Sequence, residues 1–260
     1  MSQTDQIQIH RDGHLKYISI NNPKRKNALS NDMARRLRDV IAETAEDDSR
    51  VVILQGAGAD FCAGADLDPA LINGQPFDVS KFLKETYSPL VLGIRNMDKP
   101  FIAKVKGNCV GVGFNFAMAC DLIYTTENAR FSQIFTKIGL STDGGGAFFM
   151  LEKLGHQKAF ELMATHQMIS GKEALDWGLV NAVHQDAELD DFVKDVAMKL
   201  AEGPYLAIQH TKSNLRAAQQ GLEAALETEA DNQGRNFRSM DFLEGIMAFL
   251  QKRPARFKGK

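Results

Sequence analysis

Apolar and polar positions alternate with two different periods in the first part of the chain. Residues 6–10 and 15–20 alternate with a period of two around a polar, glycine-containing turn, which predicts two strands of a hairpin. Residues 32–45 instead place their apolar side chains on one face at helical spacing, after a possible cap at Ser30 or Asn31. The short apolar run at 50–55 is typical of a buried strand.

The same order of elements returns in the middle of the chain. A helix is predicted from about residue 79 towards residue 97, and the apolar run 101–105 is a further strand candidate. Glycine-rich residues 107–113 lead into helical residues 114–120, and 122–125 again resemble a strand. Strand, glycine turn, helix and strand therefore occur in this order twice, which favours an α/β fold.

The last part of the chain is predicted to be mostly helical. A helix-like segment follows the glycines at residues 144–146, and a Ser170/Glu173 pair typical of a capping box begins another helix that ends at Gly178. The predicted helices cover residues 147–154, 158–163, 170–179, 189–202, 205–219, 222–234 and 239–250. We find no low-complexity tract and no repeat of fixed period.

Composition restricts the classes of protein to be considered. With 260 residues, 44% hydrophobic and 25% charged, the chain has the composition of an ordinary globular protein. A net charge of −2 argues against a nucleic acid as partner, since no face of the molecule needs to be strongly basic. No apolar run reaches the roughly 18 residues of a membrane span, and the polar N-terminus has no secretory signal, so no membrane partner is expected.

The three cysteines bear on the compartment of the protein. Cys62, Cys109 and Cys120 have no metal-like spacing, and their odd number indicates reduced thiols in the cytoplasm. We expect them to act as small buried apolar residues, and no metal site is predicted.

Candidate chemistry begins at an acid in residues 131–146. Asp143 is the acid at the edge of a glycine run with mostly apolar neighbours, and burial in such surroundings makes a carboxylate hold its proton more tightly. A general base near neutral pH needs this property. An aspartate just before a helix is also a favoured N-cap, and from this stretch alone the cap is the better-supported interpretation.

Two glycine-bearing segments upstream change that judgement. Residues 63–67 lie shortly after a predicted strand, and residues 111–113 lie directly before a predicted helix. Each segment can present an unpaired backbone N–H group, and the dipole of a helix favours negative charge at such a position. Two such donors that converge on one point form an oxyanion hole.

Together with residues 22–24 and 27–30 (Asn-Pro-Lys and Asn-Ala-Leu-Ser), these segments resemble the crotonase family, the enoyl-CoA hydratase/isomerase superfamily. The resemblance covers almost the whole chain, from the first hairpin to residues 249–257. It implies a spiral of ββα units over residues 1–200 and a helical trimerisation region over 201–260, in a homotrimer or a hexamer made as a dimer of trimers. The substrate it implies is an acyl-CoA thioester, with no further cofactor.

The resemblance also assigns site residues. The thioester oxygen would be held by the backbone N–H groups of Ala65 and Val112. The remaining assignments are contacts to CoA phosphates and adenosine by Lys24, Arg25 and Lys26, backbone contacts along the nucleotide and pantetheine by Ala28, Ala63, Asp66 and Leu67, and walls of the acyl site formed by Phe77, Phe82, Leu83, Phe114, Phe135, Phe148 and Met150.

Departures from the family pattern point to the reaction. Hydratases of the family use two glutamates at the positions that here hold Asn115 and Phe135, and neither side chain can activate water. Some isomerases of the family instead carry an acid at the position of Asp143. The resemblance therefore favours isomerisation of a 3-enoyl-CoA to a 2-enoyl-CoA through an enolate, with Asp143 as the base.

Other reactions of the family remain open. Ring-epoxide or dienoyl isomerisation and thioester hydrolysis are alternatives, as is a CoA-ester binder without catalysis. Dehalogenation in this family uses an aspartate helped by a tryptophan and a histidine. It is ranked low because Trp177 lies far downstream and no histidine occurs between residues 15 and 155.

Overall fold

The computed structural model describes residues 6–67 and 77–259. The polar start of the chain, residues 1–5, lies outside these ranges. The strands are β1 (Ile7–Asp12), β2 (Leu15–Ile20), β3 (Val51–Gly56), β4 (Phe101–Val105), β5 (Asn108–Val110), β6 (Leu122–Thr126), β7 (Arg130–Ser132), β8 (Ile169–Ser170) and β9 (Ala182–His184). The helices are α1 (Asn31–Thr44), α2 (Val79–Phe82), α3 (Ser88–Asn96), α4 (Val112–Ala119), α5 (Gly146–Ala164), α6 (Gly171–Asp176), α7 (Leu189–Ala201), α8 (Tyr205–Ala218), α9 (Leu222–Asn236) and α10 (Met240–Leu250). Within the described ranges, no helix combines the length and the apolar character needed to cross a membrane.

A six-stranded sheet forms the centre of the molecule, in the order β1-β2-β3-β4-β6-β9. The hairpin β1–β2 is antiparallel, as the alternating pattern predicted, with Ile7 opposite Ile20. The other neighbours, from β2 to β9, pair in parallel. Parallel neighbours need crossover connections, and the helices between these strands supply them. The prediction of an α/β fold is confirmed.

Both faces of this sheet are covered, which explains the uninterrupted apolar run of β3. Val52 and Leu54 belong to a core shared with α1, α3 and α4. Val51 and Ile53 face the other way and pack with Leu189 and other residues of α7. Successive side chains of a strand point to opposite faces, so a strand that is buried on both faces is apolar throughout and shows no alternation.

A second, three-stranded sheet has the order β5-β7-β8. The sequence analysis treated residues 107–113 as one glycine-rich turn, and this was wrong for residues 108–110, which pair in parallel with β7. β8 completes the sheet in the antiparallel direction. Strands of two or three residues are too short to show a period of two, so their pattern could not be recognised in the sequence.

Two predicted helical regions differ in detail from the structure. The helix expected over residues 79–97 contains a π-helical turn, Leu83–Tyr87, between α2 and α3. The helices expected at 147–154 and 158–163 lie in one element, α5, which bends at Gly155 where φ is 71°. That backbone angle is open to glycine and costly for other residues, so Gly155 explains the break between the two apolar patterns.

The C-terminal helices are attached to the core through buried polar contacts. The Lys212 ammonium group of α8 donates hydrogen bonds to the carbonyl oxygens of Ile94 and Lys99 and to Asp121 Oδ2, at 2.8–3.0 Å. Asp121 also accepts the Phe101 N–H, which ties the residues after α4 to the start of β4. The three cysteines are free and buried, which confirms the expected packing role but does not test the predicted cytoplasmic location.

Candidate active site

The two predicted oxyanion-hole segments lie side by side. The backbone of Cys62 pairs in parallel with that of Cys109 in β5. The Cys62 N–H donates to Asn108 O, and the Val110 N–H donates to Cys62 O. Counting three residues onward from each cysteine leads to Ala65 on one segment and Val112 on the other. The register of the bridge therefore brings the two predicted donors to neighbouring positions.

A close approach of two backbones joins these segments at Gly64. This residue has a φ of 98°, and a Cβ added to it would lie 3.2 Å from the carbonyl oxygen of Val110 and 3.9 Å from Gly111 Cα. Both the angle and the space favour glycine. The glycine of the Ala63-Gly64-Ala65 segment thus lets the first donor segment approach the second.

Backbone pairing with Leu29 leaves the Ala65 N–H directed away from Leu29. The Leu29 N–H donates to Gly64 O, and the Asp66 N–H donates to Leu29 O, both at 2.8 Å. In such a parallel pairing the residue between the two bonded peptide groups turns its own N–H away from its partner, so the Ala65 N–H points away from Leu29. Ala65 itself is exposed.

The Val112 N–H is the first of helix α4. The N–H groups of the first helical turn have no acceptor within their own helix, and they carry the positive end of the helix dipole. Gly111 precedes Val112 with φ 58° and ψ −129°, and its own N–H donates to Ser132 O of β7 at 2.9 Å. The turn before α4 thus follows β5 directly and is held by β7 of the small sheet.

The loop that carries Asp143 packs against the start of α4 at the glycine that follows the acid. Gly144 has a φ of 53°, and a Cβ added to it would lie 3.0 Å from Val112 Cγ2 and 3.6 Å from Asn115 Cβ. The acid loop therefore packs directly against the first turn of α4. The predicted acid and one predicted donor are brought together.

The capping interpretation of Asp143 is wrong. Helix α5 begins at Gly146, its N-cap residue is Gly145, and no side chain caps it. The Asp143 backbone carbonyl accepts the Gly146 N–H at 3.0 Å, while its side-chain Oδ1 is buried without a hydrogen-bond partner among the described residues. A buried carboxylate oxygen without a partner destabilises the fold, so its presence calls for a functional explanation.

Burial raises the pKa of Asp143 to about 6, opposed by a smaller effect of the residue's own backbone N–H. The apolar surroundings predicted from the sequence have the expected effect, because desolvation disfavours the charged carboxylate. Tyr87, which the sequence analysis did not propose for the site, lies near Asp143. Burial raises the pKa of the Tyr87 hydroxyl, and the negative charge of Asp143 raises it further. A carboxylate with a pKa near 6 is suited to accept a proton at neutral pH.

The structure also locates the residues at the two glutamate positions of hydratases. Asn115 is fully buried in α4 and hydrogen-bonds with Gln133, Thr142 and the backbone of Asp143. The Phe135 ring lies next to the turn before Val112, since a Cβ added to Gly111 would be 3.8 Å from Phe135 Cζ. Both positions therefore adjoin the candidate site, and the substrate contacts expected of them remain predictions.

The predicted phosphate-binding cations lie on an exposed loop. Lys24, Arg25 and Lys26 are all exposed, and Arg25 forms an ion pair with Asp66 beside the first donor segment. The Ala63 N–H donates to Lys26 O at 3.0 Å, which ties the loop to that segment. The remaining residues assigned to the nucleotide path differ in exposure, with Ala28 buried, Ala63 intermediate and Leu67 exposed.

The predicted apolar wall separates into core and surface residues. Phe114 is fully buried and packs on Phe131, and Met150 is also fully buried, so both have core positions. Phe82 is buried between Phe77 and Tyr87. Phe148 is 52% exposed, and Leu83 packs on the main core.

Comparisons with known proteins agree with this geometry. A family model described as enoyl-CoA hydratase/isomerase matches residues 10–260. The chain is 32% identical over 247 residues to 1,2-epoxyphenylacetyl-CoA isomerase of Escherichia coli, covering 94% of each chain. It is 33% identical over 247 residues to a probable enoyl-CoA hydratase of Rhodobacter capsulatus, covering 95% of each.

A solved structure shows the same fold. The crystal structure of a putative enoyl-CoA hydratase/isomerase from Mycobacterium abscessus superposes with a TM-score of 0.92 and is 28% identical in sequence, covering 98% of this chain and all of that chain. The relatives include both isomerases and hydratases, so the match supports an enzyme of the superfamily and does not select the reaction. The chain belongs to the enoyl-CoA hydratase/isomerase family and has the crotonase fold that its glycine segments and its acid loop indicated.

Proposed function

We propose that the protein is an acyl-CoA isomerase that moves a double bond from the 3-position to the 2-position of an enoyl-CoA. The observation that carries the proposal is the buried, unpartnered Oδ1 of Asp143 on a loop packed against the first turn of α4. A double-bond shift needs one base that removes a proton from one carbon and returns it to another. Asp143, with a pKa raised to about 6, has the properties required of that base.

The proposed reaction proceeds in two proton transfers. The thioester oxygen accepts hydrogen bonds from the backbone N–H groups of Ala65 and Val112, which stabilise the negative charge that develops there. Asp143 takes a proton from C2, the electron pair forms the enolate, and the 3,4-double bond becomes part of a dienolate. The protonated Asp143 then gives the proton to C4, so that the double bond lies between C2 and C3. No cofactor or metal takes part in this scheme.

Hydration is disfavoured because it needs a second group. Water addition requires one residue to orient and deprotonate water and another to donate a proton. Asn115 is a neutral amide whose hydrogen bonds go to other protein groups, and Phe135 has no titratable atom. Asp143 alone meets the requirement of an isomerase and does not meet that of a hydratase.

The test compares two reactions of one preparation. We expect isomerisation of 3-hexenoyl-CoA to be faster than hydration of crotonyl-CoA by about two powers of ten or more, the scale of a missing general acid–base group. Both reactions are followed by absorbance of the 2-enoyl thioester. A hydration rate equal to or above the isomerisation rate would overturn the assignment. An Asn115→Glu, Phe135→Glu double variant is not expected to become an efficient hydratase, because Asn115 is fully buried among polar partners.

Ring-epoxide isomerisation is a second candidate, favoured by the similarity to 1,2-epoxyphenylacetyl-CoA isomerase. It would use the same acid and the same oxyanion hole. Comparing kcat/KM for 3-hexenoyl-CoA and 1,2-epoxyphenylacetyl-CoA distinguishes the two candidates. Exchange of the C2 protons of a saturated acyl-CoA in deuterium oxide separates either of them from a binder without catalysis, since only a base at C2 supports exchange.

Substrate binding is proposed to run along the exposed basic loop. Lys24 and Lys26 would meet the CoA phosphates, and Arg25 would do so beside its partner Asp66. The backbone of Ala28 and the first donor segment would follow the nucleotide and pantetheine towards the hole. The hydrogen bond between the Ala63 N–H and Lys26 O supports this path, because it keeps the loop beside that segment.

Assembly into a homotrimer or hexamer is the remaining proposal, with residues 201–260 as the trimerisation region. Large apolar side chains of the C-terminal helices are exposed in the single chain, among them Leu222 (74%) and Phe249 (81%). Apolar faces of this kind mark surfaces that are covered in an assembly. Sedimentation at micromolar concentration is expected to show three or six chains, and only monomer would contradict the proposal. Leu222→Glu and Phe249→Glu should each lower the assembled fraction, because a buried charge without a partner is costly.

A further inference from the structure

Three polar side chains lie next to the loop of the candidate base. Asn115 and Gln133 are 0% and 1% exposed, and Thr142 precedes Asp143 in the chain. Asn115 belongs to α4, Gln133 follows β7, and Thr142 belongs to the acid loop. Polar groups at such depth are costly unless each finds a partner.

The three side chains form a closed ring of hydrogen bonds, the amide–hydroxyl ring. Asn115 Nδ2 donates to Thr142 Oγ1 at 3.2 Å, Thr142 Oγ1 donates to Gln133 Oε1 at 3.2 Å, and Gln133 Nε2 donates to Asn115 Oδ1 at 2.7 Å. All three bonds run in the same sense around the ring, so within the ring each side chain donates once and accepts once. Thr142 Oγ1 also lies 3.4 Å from the Asp143 carbonyl oxygen, a second acceptor for its hydroxyl. Chains of hydrogen bonds polarise one another, which strengthens each bond of such a ring.

The ring has a donor left over, and it is directed at the acid loop. Asn115 Nδ2 also donates to the backbone carbonyl of Asp143 at 2.8 Å. The same helix begins with the Val112 N–H of the proposed hole. One rigid helix thus carries an oxyanion donor at its first residue and a hydrogen bond to the base's own backbone one turn later.

The local sequence leaves room for this arrangement. A Cβ added to Gly146 would lie 2.2 Å from Thr142 Oγ1 and 2.6 Å from Asn115 Nδ2. Any side chain at this position would therefore displace a member of the ring. Gly146 is not among the glycines with a positive φ, so its backbone conformation does not require glycine. The ring requires glycine there, because it occupies the space that a side chain would need.

We infer that Asn115, Gln133 and Thr142 are positioning residues that hold the base Asp143 at a fixed place relative to the oxyanion hole. The inference rests on the proposed function of Asp143. The position that holds a glutamate in hydratases is then used in this protein to fix the loop of a different acid. A displacement of about 1 Å of a catalytic group can cost about 100-fold in rate, so fixing the loop has a direct kinetic effect.

Thr142→Val and Thr142→Ser form a matched pair that tests the ring. Valine has the shape of threonine but opens the ring at two bonds, whereas serine keeps the hydroxyl. We expect Thr142→Val to lower kcat by about 10- to 100-fold with unchanged affinity for the CoA ester, and Thr142→Ser to stay within a factor of a few of wild type. A second variant, Gln133→Met, removes a different member of the ring at similar size and should act as Thr142→Val does.

The pH profile supplies a readout that a purely structural role would not move. Burial raises the pKa of Asp143, so a loosened loop that admits water should shift the acid-side midpoint of kcat/KM from about 6 towards the ordinary aspartate value. Wild-type kcat and midpoint in folded Thr142→Val would overturn the inference, and if that variant does not fold, the same result in Gln133→Met would do so. Asp143→Asn in the same assays separates the two hypotheses. An active Asp143→Asn refutes the proposed function itself, whereas an inactive one beside an unaffected Thr142→Val refutes only the positioning role.

Discussion

Replacing Asp143 by asparagine is expected to lower turnover by about two to four powers of ten, the scale of general acid–base catalysis. The change keeps the size of the side chain and removes the group that accepts the proton. Affinity for the CoA ester should change little, because the nucleotide and the thioester carbonyl provide most of the proposed contacts. Steady-state kinetics with 3-hexenoyl-CoA, together with a binding measurement on a saturated acyl-CoA, checks both expectations.

The structure offers a matched control for this variant. Asp78 is a true N-cap, since its carboxylate accepts the Lys81 N–H at 2.9 Å at the start of α2. Asparagine caps about as well as aspartate, so Asp78→Asn should leave both stability and turnover near wild type. If Asp143→Asn behaved like this control, the isomerase mechanism would be refuted, and the family membership would support acyl-CoA binding alone.

The same variant should remove the pH dependence on the acid side. Asp143 acts as a base only when it is ionised. The kcat/KM of the wild type should therefore fall as the pH decreases through about 6, the raised pKa of Asp143 in the free enzyme. An unperturbed aspartate would place this fall near pH 4. A wild-type midpoint near 4 would mean that the carboxylate of the free enzyme is well hydrated, in conflict with its buried Oδ1.

The sequence predicted five of the six strands of the main sheet because these are long enough to show a pattern, and it missed the three-residue strand β9. β2, β3 and β4 have five or six residues each, and their apolar runs or alternation determine their faces. β5, β7 and β8 have two or three residues, so no period can appear in them. Yet it is β5, paired across Cys62 and Cys109, that sets the register of the two donor segments.

The environment of the base was only partly predictable for a related reason. The apolar neighbours of Asp143 in the chain indicated burial, and the raised pKa agrees. Tyr87 comes from another part of the chain. Gln133 lies in the same stretch as Asp143 but is separated from it by the 3₁₀ turn Ile134–Ile138, and no local pattern places either side chain near the acid. The capping interpretation failed because Gly144 and Gly145, both with positive φ, move the start of α5 beyond the reach of the Asp143 carboxylate.

The second large effect is expected at the oxyanion hole, where Val112→Pro deletes one donor. Proline is tolerated at the first residue of a helix, which is the place of Val112 in α4. The residue before a proline prefers an extended backbone, and Gly111 with φ 58° and ψ −129° has the mirror image of that conformation, which glycine adopts freely. The helix should therefore still form. Loss of one donor typically costs about 100- to 1,000-fold in kcat.

Val112→Ala is the control for this variant, because it shortens the same side chain and keeps the N–H. Val112 is buried against the acid loop, so both variants lose packing near Gly144, and only the proline variant loses the hydrogen bond to the thioester oxygen. The difference in kcat between the two variants therefore reports the loss of the N–H together with the proline Cδ that takes its place. A folded Val112→Pro enzyme with the kcat of Val112→Ala would show that the carbonyl is held elsewhere. A difference of 100-fold or more, with Asp143→Asn inactive as well, would support the acid and the start of α4 as two parts of one site.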